Sequence, residues 1–350
     1  MNDISNTPSS GNSLTAALQA ALAARTQFLD ARHEMALRLF NGFYEGFPNL
    51  VVDLYGRTLI VYNYAHTPSD ADDAIGEAFE FFQEALPWVT SILVKARYGA
   101  LEEEKKGRLL WGSGIDKRIR ENGVAYAVDL RINQDASFYL DTRHLREWAK
   151  DNLEGKTVLN TFAYTGSIGI AARAGGASRV VQIDLSRTFL NVAKESCTIN
   201  GFSIDRLDFQ AGDFFPRVSH LKRDAARFDC VFVDPPLYSK TRGGKVDLME
   251  ESHRILNKVR PLINDGGWLV TINNALFVSG AEYMAMLESL CADGYLSIET
   301  TIPVPQDFIG FSETPAGVLP ADPAPFNHAT KIAVLRVRRK DAIAKPTDES

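Results

Sequence analysis

The sequence predicts an α/β protein built around a doubly wound parallel sheet, and three observations between Thr157 and Pro236 predict it. An apolar strand, Val158-Leu159-Asn160-Thr161, runs through Phe162-Ala163-Tyr164-Thr165-Gly166 into a helix that starts near Ser167. A second strand, Arg179-Val180-Val181-Gln182-Ile183-Asp184, ends in a carboxylate roughly 20 residues after that turn, the spacing of an acid that meets a ribose at the tip of strand two. Two further strands, Leu207 to Asp213 and Phe228 to Asp234, also end in acids, the last running into Pro235-Pro236. In such a sheet a ligand lies in the crevice beyond the carboxyl ends of the strands, where a helix start offers free backbone amides.

The turn itself narrows the ligand. A dinucleotide fingerprint needs a glycine two positions before Gly166, and that position is Tyr164, so a pyrophosphate is disfavoured. Carboxylates at three successive strand tips suit ribose hydroxyls, an adenine amine and a positively charged centre. S-adenosylmethionine (SAM) combines all three. The expected contacts are Phe162, Tyr164, Thr165 and Gly166 in the turn, Asp184, Leu185 and Ser186 after strand two, Asp213 and Phe214 after strand three, and Asp234 after strand four. Taken singly, Asp184 and Asp213 read equally well as helix caps, since short polar side chains at a helix start accept its free amides.

Composition leaves room for this. The 350 residues are 45% hydrophobic and 23% charged, which is ordinary for a chain of two packed domains. No apolar run reaches about 18 residues and no charged-then-apolar signal opens the chain, so neither a membrane span nor export is expected, and a cytoplasmic location is. Cys197, Cys230 and Cys291 lack metal-ligand spacing and read as buried free thiols, and no metal site is expected. A net charge of -6 argues against polyanion binding by the whole surface while leaving room for a local basic patch.

Along the chain, residues 1 to 12 are rich in Ser, Asn and Pro and read as a disordered tail. Leu14, Leu18, Leu22, Phe28, Leu29 and Met35 recur at helical spacing, predicting an amphipathic helix over 13–37. Residues 38–135 then read as a small α/β domain. Its signals are a hairpin around Tyr55-Gly56, a helix from Asp70 to Leu86 stopped by Pro87, a strand from Ser91 to Ala96 and another from Gly123 to Leu130. The cations of Glu104-Lys105-Lys106-Gly107-Arg108 and Lys117-Arg118-Ile119-Arg120 read as a solvated loop or, alternatively, as phosphate contacts.

The cofactor-binding domain is expected over 136–340. Ser137 to Arg143 opens it, and Arg143 reads either as an ordinary surface residue or as a junction arginine that takes a methionine carboxylate with a paired guanidinium fork. A helix from His144 to Asn152 precedes the first strand. After the fifth strand, Gly267 to Ile272, come a helix over 280–292 and two strands, Leu296 to Ile302 and Lys331 to Val337, with no long helix between them, which predicts a closing antiparallel strand at the sheet edge. Pro303 to Asn327 is long for a plain connection and reads as a substrate-facing or simply flexible loop. Residues 341–350 read as a second disordered tail.

Phe138-Tyr139-Leu140-Asp141-Thr142-Arg143, Asn160 to Gly166, Asp234-Pro235-Pro236-Leu237-Tyr238-Ser239-Lys240 and Gln306-Asp307-Phe308 resemble the ribosomal large-subunit RNA methyltransferases that modify cytosine carbon five or guanine nitrogen seven. The resemblance spans about residues 38 to 340 and implies a class I methyltransferase, Rossmann-like fold behind an RNA-positioning domain. Too few residues precede Arg38 for the PUA-type RNA-binding domain of the cytosine branch.

Cytosine methylation needs a thiolate near the tip of the fourth or fifth strand. Cys230 lies four strand residues before Asp234, about 13 Å along an extended chain, and the fifth strand ends in Asn273-Asn274. The Asn273-Asn274 pair and the Gln306-Asp307-Phe308 run resemble the guanine branch, which implies that a ring nitrogen attacks the methyl directly. On this reading Asp234, Pro235 and Pro236 position the base edge, Tyr238 stacks on the flipped-out base and Asn273 or Asn274 hydrogen-bonds to it. Tyr238 as a packed loop aromatic and Asn273 as a turn former are the plainer alternatives. The expected partner is RNA, namely 23S ribosomal RNA. A small-molecule methyltransferase and a cytosine carbon-five enzyme are the competing readings, and oligomeric state is not legible.

Overall fold

In a computed structural model, which describes residues 13–248, 251–311 and 319–340, the chain divides into two units. One comprises Met1–Leu140 with Pro305–Val318, the other Asp141–Val304 with Leu319–Ser350. Both tails expected at the chain ends lie outside the described residues, as does 312–318 of the long loop.

In the first unit, strands β1 (Ala36–Asn41), β2 (Leu50–Tyr55), β3 (Thr58–Asn63), β4 (Ser91–Ala96) and β5 (Arg108–Gly112) form one sheet in that order. All pairs are antiparallel except β3 with β4, whose parallel crossover runs through the 14-residue helix Asp72–Ala85. β1, β3 and β4 therefore end at the same edge of the sheet. A separate hairpin pairs β6 (Arg118–Glu121) with β7 (Val124–Ala127). The charged run expected as a loop is thus part strand, with Arg118 and Arg120 exposed and Ile119 buried, and part helix, Glu102–Lys106.

The helix expected over 13–37 is shorter: α1 spans Leu14–Arg25, capped by the Ser13 hydroxyl, which accepts the Ala16 amide. Its end has a local cause. The Asp30 carboxylate accepts the amides of Arg32 and Glu34, which gives the backbone an alternative to helical bonds, and His33 sits at φ 54°. Leu14 and Leu18 from α1 pack with Leu39, Val52, Val61 and Phe82 in the core of this unit.

Gln306-Asp307-Phe308, expected inside the cofactor domain, is anchored to the first unit instead. The Arg25 guanidinium donates to the Asp307 carbonyl at 3.1 Å, Asn41 donates to the Phe308 carbonyl at 3.0 Å, and the Arg38 guanidinium lies 3.9 Å from the Phe308 ring centre. Arg25 also forms a buried 2.7 Å ion pair with Glu45.

The second unit holds β8 (Thr157–Thr161), β9 (Arg179–Asp184), β10 (Phe209–Ala211), β11 (Phe228–Val233), β12 (Tyr238–Lys240), β13 (Lys245–Asp247), β14 (Ile263–Asn273), β15 (Leu296–Thr301) and β16 (Lys331–Val337). Seven of these form one sheet in the order β10-β9-β8-β11-β14-β16-β15, with β12 and β13 a separate hairpin. The order reverses between β8 and β11, which is where a doubly wound sheet opens its crevice. β16 alone runs against the rest, inserted between β14 and β15, so the expected closing antiparallel strand is present.

The strands are nearly continuous apolar runs because both faces are covered. Val158, Val180, Cys230, Phe232 and Ile272 pack on one face beneath Leu145, Ala149 and Ile168. Leu159, Val181, Val231, Val233 and Leu269 pack on the other with Val218, Leu256 and Leu287. Each fully buried side chain of this size contributes about 1.5–3 kcal/mol. Among the described residues no helix is long and apolar enough to cross a membrane.

Candidate active site

The crevice is built by the residues that follow β8, β9, β10 and β11, four parallel neighbours in register. After β8 the backbone passes through Phe162 at φ 55°, Tyr164 at φ 50° and Gly166 at φ 76°, a succession of left-handed residues that turns the chain sharply into the helix Ser167–Ala174. A Cβ on Gly166 would stand 2.4 Å from Gln182 Oε1, and one on Gly169 2.8 Å from the same atom. The left-handed turn thus favours glycine at Gly166, while at Gly169 the helix packs closely on Gln182 and Val180 of β9. Thr165, between Tyr164 and Gly166 in sequence, is buried.

Asp184, the last residue of β9, holds the turn in place. One carboxylate oxygen accepts the Tyr164 amide and the other the Ser186 amide, each at 2.8 Å. Burial raises its carboxyl above the usual range, against the pull of those two donors. Each oxygen retains a lone pair for a ligand hydroxyl. Ser186 caps the next helix by accepting the Phe189 amide, while Leu185 between them is 64% exposed, an apolar side chain left open at the rim. The Phe162 and Phe214 rings stack at 4.5 Å, and Tyr164 meets Phe189 edge-on at 4.5 Å, so the aromatic walls are set by mutual packing.

Asp213 stands at the start of the helix Phe214–Arg223 and accepts the Phe215 amide at 2.9 Å. Its other oxygen accepts the Thr241 hydroxyl, from a loop whose Gly243 approaches too closely for a side chain. Neither Thr241 nor Gln182 was singled out in the sequence, because each acts through a neighbour distant in the chain.

Asp234 follows β11 directly. Among the described residues no hydrogen-bond donor reaches its carboxyl, and burial together with the charge of nearby Asp141 pushes it up to about 7. Asp141 accepts the Thr330 hydroxyl at 2.8 Å. Two acids repelling one another in a partly buried crevice favour a cationic occupant. Asp141 was visible only as one letter of the Phe138–Arg143 run; nothing in the sequence paired it with Asp234. Arg143 begins the helix Arg143–Asn152, half-buried, while Arg146 is wholly buried and bonds the Thr142 hydroxyl.

The expected base-contacting residues divide. Pro235 is buried and Pro236 exposed beside Asp234. Tyr238 is 58% exposed at the start of the β12–β13 hairpin, with the Lys245 ammonium 5.8 Å from its ring centre, so it is not a packed loop aromatic. Asn273 is corrected to the turn-forming alternative. It is buried, its Oδ1 accepts the Ala275 amide at 3.0 Å and its amide faces the Ser252 hydroxyl at 3.4 Å. Asn274 is exposed. The loop beyond is fixed by Lys331, which donates to the carbonyls of Ala275, Val278 and Ala329 and whose ammonium burial pushes down to about 8.

An open doubly wound sheet with an acid at the tip of strand two, and acids rather than a phosphate cradle at the switch point, is an arrangement compatible with a cationic nucleoside cofactor. The chain belongs to the S-adenosylmethionine-dependent methyltransferase family, matched over residues 38–296. It is similar to ribosomal RNA large subunit methyltransferase I of Photobacterium profundum, 27% identical over 291 residues that cover 81% of this chain and 71% of the relative. It is also similar to ribosomal RNA large subunit methyltransferase K/L of Alteromonas mediterranea, 29% identical over 65% of this chain but only 33% of that longer relative. Among solved structures, SMU.776 complexed with SAH shares the fold at a TM-score of 0.79 and 20% identity, covering 93% of this chain and 81% of that one. The protein is thus a SAM-dependent methyltransferase of the class I, Rossmann-like fold, and its cofactor is SAM.

Proposed function

We propose that this enzyme methylates a base nitrogen, on guanine, of large-subunit (23S) ribosomal RNA by direct transfer without a cysteine nucleophile. The observation that carries the reading is the position of the thiols. Cys230 is fully buried within β11 and burial pushes its thiol well above the usual range; burial likewise pushes Cys197 up to about 11. Cys291 lies in the helix Gly280–Cys291, away from the strand tips. No described cysteine is placed to attack carbon six of a cytosine, which its carbon-five methylation requires. The ribosomal RNA names of the similar proteins support the substrate class.

SAM, when bound, supplies an electrophilic methyl group. On this proposal Asp184 accepts its ribose hydroxyls and Asp213 its adenine amine. Phe162, Tyr164, Thr165, Gly166, Leu185, Ser186 and Phe214 wall the nucleoside, and Arg143 pairs with its methionine carboxylate. The acids Asp141 and Asp234 suit its positive charge. Asp234, Pro235 and Pro236 then orient the base edge, Tyr238 offers an exposed ring for stacking, and Asn274 replaces Asn273 as the amide able to reach the base. A ring nitrogen with a free lone pair needs only alignment and exclusion of water, so positioning is the chain's main contribution. Nucleoside mass spectrometry of large-subunit RNA from cells with and without the protein tests this: a methylguanosine lost in its absence supports it, and an unchanged nucleoside profile contradicts it.

A further inference from the structure

The end of the first unit's sheet at which β1, β3 and β4 all finish carries a run of aromatic side chains that its core does not use. Phe43, just past β1, is 44% exposed and meets Tyr64 edge-on at 4.9 Å. Past β3 and β4, the exposed His66 and the 53% exposed Tyr98 pair at 4.6 Å between ring centres. Between these pairs lies Arg97, whose guanidinium is 5.7 Å from the Tyr64 ring centre and is held by Asp135 at 2.8 Å. Asp135 in turn accepts the hydroxyl of Tyr139, itself 43% exposed. Scattered single apolar side chains on a surface need no explanation, but Phe43 and Tyr139 joined through Tyr64, Arg97 and Asp135, with the His66–Tyr98 pair past the same strand ends, do.

We propose that this rim of the first unit is a stacking platform for unpaired bases of the RNA substrate. The proposal rests on the RNA reading above and adds to it where, and in what form, the RNA is gripped. Exposed rings alternating with a guanidinium plane offer π-faces to successive unstacked bases, whereas the edges of a duplex present none. Charge supports stacking over phosphate capture. Arg97 is neutralised by Asp135, and Lys95 beneath it is buried, donates to the carbonyls of Asn133 and Asp135, and is pushed by burial down to about 7. A platform of this kind binds with little sequence preference, and its contribution changes little with salt.

The full-length enzyme, titrated by fluorescence anisotropy with a labelled single-stranded oligoribonucleotide and with the matching duplex at several salt concentrations, tests this. Phe43→Ala and Tyr98→Ala should each weaken single-strand binding by roughly 5- to 100-fold with the salt slope unchanged, and Tyr98→Phe should retain binding. Both positions are exposed, so unchanged circular dichroism and melting should accompany the loss. Unchanged single-strand affinity in both alanine variants, or an equal loss on duplex, would overturn the platform. Methylation of ribosomal RNA by the unmodified enzyme, followed in parallel, separates the two readings: activity with unaffected variants removes the platform alone, and no activity on any RNA removes the reading beneath it.

Discussion

Asp184 and Asp234 sit at the tips of β9 and β11, on either side of β8, yet have different electrostatics. Asp184 is held by two backbone amides and keeps its spare lone pairs for hydroxyls. Asp184→Ala should therefore weaken SAM binding by roughly 1–3 kcal/mol in calorimetry, and an unchanged affinity would remove the ribose assignment. Asp234 has no such donors and is raised from 3.8 to about 7. The folded chain then holds a proton that the unfolded chain has lost across this window, so stability falls as pH rises through it. Asp234→Asn, which cannot ionise, should show a stability advantage over the native chain that grows between about pH 4 and 7 in urea melts and levels off above. Parallel pH profiles would contradict the assignment. A cation against Asp234 also favours its ionised form, so SAM binding should release protons and tighten as pH rises from about 6 to 8. Calorimetry in buffers of different ionisation enthalpy reads that release directly; binding indifferent to pH would mean that Asp234 faces no charge in the complex.

At the scale of elements, the second unit was the more legible. Its strands are apolar runs ending in acids, and a hydrophobic run followed by a turn fixes both element and direction. The strand Lys331–Val337 and the helix ending at Cys291 fall close to where periodicity puts them. Helix α1 was overextended because apolar spacing continues to Met35, while the Asx bonds of Asp30 that end the helical path leave no periodic trace. Asn273 was ambiguous for a related reason, since one asparagine can close a turn or meet a base, and only the Ala275 amide decides between them. Pairings such as Thr241 with Asp213, or Lys331 with the loop after β14, join residues far apart in sequence and so were not readable. Lys331 yields a prediction at this scale. Lys331→Met keeps the stem but leaves three carbonyls without their donor, and should lower stability by about 1–3 kcal/mol while raising hydrogen exchange over residues 275–278. Exchange unchanged there would show that the loop is held by other contacts.

Considered as a whole, the chain carries two sheets whose strand ends bear different chemistry: acids on the larger, and aromatic rings with an arginine on the smaller. The described residues 305–311 belong to the smaller unit although they follow the larger unit's β15 and precede its β16, so the backbone passes between the units more than once. The shift in pattern near residue 136 carries the expected domain boundary, but the return of Gln306-Asp307-Phe308 to β1 leaves no such mark, because its anchors, Arg25, Arg38 and Asn41, lie more than 260 residues earlier. The chemistry proposed for this assembly uses none of its three thiols. The most direct test gives the Cys197→Ser, Cys230→Ala, Cys291→Ser triple variant, checked for native circular dichroism, ribosomal RNA and methyl-labelled SAM, with the products digested to nucleosides for mass spectrometry. Label in a methylguanosine at the unmodified enzyme's level is the predicted result; label in 5-methylcytidine from the unmodified enzyme, or loss of labelling by a folded triple variant, would contradict it.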